Sequence, residues 1–225
     1  TSQIEDGYID YTGTDYTALH NRASGYPEPY EDFINIGQTH SYYIARGVLY
    51  FDTSTIPDES NIASAKLGLY LHTDVSSVDF NITIQNGQPY YPHKPGQGGD
   101  YYYAHYNGDG GHFDTSGLVA GYNNITLSSD GENWIQTDEI TRLCLRSSRD
   151  INSNTPTTNE YVVFSSLENG TSYAPKLYVT YEAYSYTFHG LFSEDSGLLE
   201  SASERAVNVT AHYTDESSST FEVNG

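Results

Sequence analysis

The chain has 225 residues, a formal net charge of −21, nine Lys plus Arg against thirty Asp plus Glu, and 23 tyrosines. That field repels nucleic acid phosphates and no basic stripe offsets it, so no nucleic acid partner is expected. No apolar run is long enough for a membrane helix, so no membrane insertion is expected within these residues.

Methionine is absent, so we expect the chain to start inside a longer precursor, by signal-peptide removal or as a fragment. Ile4 to Asp10 reads as a first strand. Residues 11–31, rich in Gly, Thr, Tyr and Pro, read as a long irregular loop. Phe33 to Ile36 is a short strand, and Ser41 to Asp52 is a central one. A turn from Asp52 to Asn61 follows. It contains Pro57, which cannot donate a ladder hydrogen bond. Ile62 to His72 then reads as the partner strand: Ala65, Leu67, Leu69 and Leu71 alternate with Lys66, Gly68 and Tyr70, one set per sheet face. Val78 to Gln85 is a further strand. Asn86 to Gly117 has no sustained period and is dense in Gly, Pro and Tyr. It is too long for an ordinary connection and too aromatic for disorder, so an ordered, aromatic-surfaced loop is expected.

Tyr122 to Leu127 is a strand and Asp130-Gly131 a turn. Trp134 to Ile140 reads as a helical turn that plugs one end of the domain. Arg142 to Ser147, Glu160 to Ser166 and Pro175 to Glu182 complete the set. The pattern predicts an all-β fold over residues 1–182, a jelly-roll-like antiparallel β-sandwich. Residues 183–225 carry three more strand-like runs around an acidic, Ser-rich stretch. They are too few to bury a core alone. We expect the start of a second β domain, or strands that add to a homotypic assembly partner or to the main sandwich.

Several residues carry candidate chemistry. Arg46 lies in an alternating strand and is expected to brace the sandwich against Asp52 or Asp6, because a buried guanidinium needs carboxylate acceptors. Asp52 is placed to cap the following turn. Tyr90, Tyr91, Tyr101, Tyr102, Tyr103 and Tyr106, with His93, His105 and His112, are the ligand-binding candidates. A tyrosine matches both the apolar face and the polar rim of a sugar, and it equally suits an interface or local packing. Asn107, Asp109 and Asp114 cluster hard oxygen donors that suit calcium. The histidine spacing matches no standard zinc pattern. Cys144, the single cysteine, is expected as a buried free thiol. No nucleophile elbow, metalloprotease, phosphate-loop or dinucleotide motif is present, so no enzymatic activity is expected. Asn81, Asn124, Asn169 and Asn208 each open an N-glycosylation sequon.

The order of Arg46, Leu49, Phe51-Asp52, Ser54 and Ile56-Pro57, followed by Ala65, Leu67, Leu69 and Tyr70, resembles the DNRLRE domain family. Asp6-Gly-Tyr-Ile9, Arg142-Leu-Cys-Leu-Arg146, Glu160-Tyr161 and Pro175 to Tyr181 extend the resemblance over about residues 4 to 182. It implies an extracellular β-sandwich module of the kind found in surface proteins and beside polysaccharide-degrading domains, including disaggregatase-type proteins. Some related modules bind acidic polysaccharides. The acidic surface here favours a neutral or amino-sugar glycan instead. The expectation is therefore a non-catalytic module binding cell-surface or matrix polysaccharide. The alternative is a structural repeat of a surface layer, sheath, filament or virion.

Overall fold

The computed structural model describes residues 6–137 and 139–182. The expected strands beyond Glu182, and Asn208, lie outside these residues. In chain order the elements are β1 (Gly7–Thr12), α1 (Tyr16–His20), β2 (Tyr26–Glu28), β3 (Phe33–Thr39), β4 (Tyr43–Asp52), β5 (Asn61–Asp74), β6 (Asn81–Gln85), β7 (His112–Asp114), β8 (Gly121–Thr126), α2 (Ser129–Asn133), β9 (Ile140–Ser147), α3 (Ser148–Ile151), β10 (Glu160–Ser165) and β11 (Lys176–Glu182). Short 3-10 turns occupy Gly98–Tyr101, Tyr103–His105 and Thr115–Gly117. The fold is all-β and sandwich-like, as the alternating pattern predicts.

The strands pair antiparallel in one curled sheet, ordered β11-β5-β10-β3-β4-β9-β6-β7. β8 adds to β5, and β1 adds to β4 with β2 beyond it. β3 carries the sheet from one layer to the other. Gly37, near its middle, pairs with Tyr161 of β10 and with Ala45 of β4. Its φ of +129° is a glycine conformation. A Cβ there would lie 2.2 Å from the Glu160 carbonyl oxygen.

The expected pairing of the central strand with Ile62 to His72 is not what forms. β4 pairs with β1, β3 and β9. β5 pairs with β8, β10 and β11. The turn around Pro57 crosses between layers, so Leu49 and Phe51 meet Leu67 and Leu69 within one buried cluster across the sandwich. Alternation fixes which face of a strand is buried. It says nothing about the neighbour along the ladder.

Two other expectations change. The Gly- and Pro-rich stretch after β1 is not wholly irregular, because it forms α1 and β2. α1 is capped by Asp15, whose Oδ1 accepts from the Ala18 amide at 2.7 Å. The helical turn expected from Trp134 onward lies earlier, as α2. Ser128 Oγ caps it by accepting from the Gly131 amide. Trp134 is half-buried and packs against the main core.

β4 is buried on both faces. Leu49 and Phe51 point into the main core with Ile34, Ile36, Ile82, Ile84, Leu143, Leu145 and Phe164. Ile44, Val48 and Tyr50 point the other way and join Ile9, Tyr16, Leu19 and Tyr101 in a second cluster. α1 and the loop after β6 therefore form a third layer over the β1–β4 part of the sheet. Each large apolar side chain buried in that layer stabilises it by roughly 1.5–3 kcal/mol.

Candidate functional site

The loop between β6 and β7 is closed at its base by Asn86 and Asn107. Each backbone amide donates to the other residue's carbonyl at 3.0 Å. Gln88 fastens it to β9 and the Trp134 turn: its Nε2 donates to the Trp134 carbonyl at 2.8 Å, and its Oε1 accepts from the Arg142 amide at 3.0 Å. Further along, buried Asp100 accepts from the His93 and Gln97 amides and from His93 Nδ1, at 3.0, 2.7 and 2.7 Å. Tyr50 Oη, rising from β4, donates to the His93 carbonyl.

Beneath the loop lies a buried ionic cluster. The register that pairs Gly47 with Leu145 puts Arg46 of β4 and Arg146 of β9 on the same sheet face. Asp150 comes back over that face from α3. Its Oδ2 accepts from Arg46 Nε and Arg146 Nε, both at 2.8 Å, and its Oδ1 accepts from Arg46 Nη2 at 2.7 Å. The expectation of Asp52 or Asp6 as the partner of Arg46 is therefore corrected: Asp150 holds it. Asp6 is buried and accepts from the Leu167 amide at 3.3 Å. Exposed Asp52 caps its own turn, accepting from Ser54 N at 3.2 Å and Ser54 Oγ at 2.6 Å.

Burial pushes the Asp150 carboxyl up, but the guanidinium groups of Arg146 and Arg46 outweigh it and hold the group well below the usual carboxylate range. The Arg46 guanidinium stacks on the Tyr101 ring at 4.3 Å and donates to the Tyr101 carbonyl. His20 Nε2 donates to the Asp150 carbonyl at 2.9 Å. Arg146 Nη1 donates to Gln85 Oε1 at 2.8 Å. Alongside runs a second chain of bonds: Tyr16 Oη to Gln38 at 2.8 Å, Gln38 to Glu160 at 2.8 Å, and Arg149 to both Glu160 oxygens at 3.0 and 3.1 Å.

These anchors sort the tyrosine candidates. Tyr101 and Tyr106 are buried, at 0 % and 4 % exposure, and belong to the packing of the loop rather than to its surface. Burial pushes both phenols up. Tyr90 is 73 % exposed. Tyr91, Tyr102, Tyr103 and His105 are half-buried and mutually braced. Tyr91 stacks on His105 at 3.6 Å and 8°, Tyr102 meets the His105 ring edge-on at 5.2 Å, and Tyr103 packs on His20 at 4.7 Å. The loop thus presents a fixed group of aromatic edges and hydroxyls above a rigid base.

The oxygen donors nearby have local roles. Asp109 accepts from the Gly111 amide at 2.9 Å and from His112 Nδ1 at 2.8 Å. Asp114 accepts from Ser116 N at 2.9 Å and Ser116 Oγ at 2.6 Å. Asn107 closes the loop base through its backbone. Among the described residues, no group of three or more His, Cys, Asp or Glu side chains is placed to hold a metal. No described helix is long and apolar enough to cross a membrane. Cys144 is buried, and burial pushes its thiol up to about 12.

Sequence reading missed Asp150, Arg146, His20 and Glu160 as members of the base. One signal was present: Arg146 sits in an alternating strand with the same parity as buried Cys144, which puts it on the same sheet face as the thiol. No protein-family model matches the chain, and no curated protein matches it.

Proposed function

We propose that the chain is a non-catalytic, extracellular β-sandwich module that binds a polysaccharide through the loop surface of Tyr90, Tyr91, Tyr102, Tyr103 and His105. The observation that carries this reading is the contrast between that surface and its base. Exposed and half-buried rings stand on a loop pinned by Arg46, Asp150 and Tyr101. A pre-set platform loses little freedom when a sugar stacks on it, and phenol rings suit the mixed polarity of a pyranose. The resemblance to DNRLRE modules points to the same class of ligand. Arginine–carboxylate pairs at the base do structural work, and the buried thiol is held protonated, so the chemistry offered to a ligand is contact and hydrogen bonding.

The test is affinity electrophoresis of the full chain through gels containing neutral or charged polysaccharides, compared with a Tyr90→Ala/Tyr102→Ala double variant. Retardation by a polymer, lost in the variant with an unchanged melting temperature, is the expected result. An unretarded chain across all polymers refutes it. Self-association that disappears in the same variant would assign the surface to homotypic assembly instead. Tyr101→Ala serves as the contrast. It removes a buried ring and should lower stability by about 3–5 kcal/mol.

A further inference from the structure

The outward face of β5, β8 and β11 lies on the opposite layer of the sandwich from the loop. Leu67 and Leu69 point into the core, so Lys66, Gly68 and Tyr70 point out. Gly68 pairs with Asn124 on one side and with Lys176 on the other. On β8 the same face carries Tyr122, Asn124 and Thr126. The asparagine and the hydroxyl of the sequon Asn124-Ile-Thr126 therefore stand side by side, both exposed, with a tyrosine two residues ahead.

Three features make this face a seat. A groove of about 390 Å³ lies along it, lined by Ser64, Lys66, Asn124, Tyr178 and Thr180. Gly68, buried beneath, lets two of these lie close together: a Cβ there would be 3.0 Å from Asn124 Oδ1 and 3.1 Å from the Tyr178 ring. Beside the groove, Tyr122 is held in place. Tyr122 Oη donates to the Ser172 and Ala174 carbonyls at 3.0 and 2.9 Å, and Lys176 Nζ sits 4.2 Å above the Tyr122 ring. Tyr178 is half exposed. The other described sequons differ. Asn81 and Asn169 are half-buried, and the Asn169 amide already donates to Ser165 Oγ at 3.0 Å. Among the described residues, the Asn124 side-chain amide has no hydrogen-bond partner.

We propose that Asn124 is a glycosylated residue and that its first N-acetylglucosamine lies in this groove, ring face on Tyr178, polar rim toward Lys66 and Thr180. The sugar arrives from a lipid-linked pyrophosphate oligosaccharide. The C1–O bond to the pyrophosphate breaks, the C1–Nδ2 bond forms, and the amide proton leaves with the lipid pyrophosphate. The attached sugar covers aromatic surface that the sheet otherwise exposes, so it stabilises the folded chain. The proposal does not depend on the loop binding a polysaccharide. It requires only that the chain meets an oligosaccharyltransferase.

The test uses the full chain secreted from a glycosylating eukaryotic host, with site-resolved mass spectrometry and enzymatic trimming to the single core sugar. Asn124 is expected to be occupied. The trimmed protein should melt about 2–4 °C above Asn124→Gln from the same host, and Tyr178→Ala should abolish that increment. A bare Asn124, no increment, or an increment that survives Tyr178→Ala overturns the proposal.

Discussion

Replacing Asp150 with asparagine tests the base of the site directly. The side chain keeps its size, so packing is preserved, and the change is one of charge and hydrogen bonding. In the native chain Oδ2 accepts from two guanidinium Nε atoms and Oδ1 from a third N–H. Asparagine can present one oxygen to these donors, and its amide brings a donor against the others. It also leaves Arg46, which is 0 % exposed, without its carboxylate. Breaking a buried ion pair from one side costs about 3–5 kcal/mol. At roughly 2–4 °C per kcal/mol for a domain of this size, Tm should fall by about 6–20 °C.

The pH dependence has a definite sign. Asp150 has a depressed pKa in the folded chain because the two arginines outweigh its burial. Protons then bind the unfolded chain in preference, so this contribution is full above about pH 4 and declines as pH falls toward the native value. The gap in stability between the parent and Asp150→Asn should therefore narrow below about pH 4. Thermal melts followed by near-UV circular dichroism measure the gap. Hydrogen exchange should show the greatest loss of protection in the loop from Asn86 to Asn107. A variant melting within about 2 °C of the parent would refute the assignment of Asp150 as the anchor.

Two further outcomes follow from single residues. Cys144 should resist a thiol reagent at pH 8 in the folded chain and react fully in denaturant, because it is buried and its thiol is pushed up to about 12; rapid labelling of the folded chain would refute its placement. Gly37→Ala should cost about 1–3 kcal/mol or more in urea unfolding, since the position combines a positive φ with a Cβ 2.2 Å from the Glu160 carbonyl oxygen; a neutral effect would argue against β3 bending between layers there.

The strands were legible because burial imposes a period of two. Phe80, Ile82 and Ile84 point inward while Asn81 stays half exposed, as their spacing predicts. Leu177, Val179 and Tyr181 likewise pack on the core. The turn-capping role of Asp52 was legible too, since an aspartate and a serine two residues on need only local geometry. What was not legible is long-range. The partner of Arg46 lies 104 positions away, and nothing in the local pattern of Ser148–Ile151 distinguishes Asp150 from other acids. Even the tyrosines of the loop read alike in sequence. Their division into buried Tyr101 and Tyr106 and outer Tyr90, Tyr91, Tyr102 and Tyr103 depends on where the sheet face lies beneath them.

That division also bears on which glycan the loop suits. The chain has only nine lysines and arginines. Two of the arginines, Arg46 and Arg146, are enclosed under the loop, and Arg149 is committed to Glu160. Between Asn86 and Gly117 the sequence supplies a single lysine, Lys94, and no arginine. Apart from Lys94 and from Arg142, whose Nη1 donates to the Pro89 carbonyl at 3.4 Å, the cations beneath the loop are turned inward to hold it in shape. Aromatic rings, hydroxyls and imidazoles remain outside, within an acidic surface that repels polyanions. On the proposed reading, discrimination at this platform is by stacking and hydrogen bonding, which favours an uncharged or amino-sugar chain. The buried charges serve the proposed site only indirectly, by keeping Tyr101 and hence the rings around it in one position.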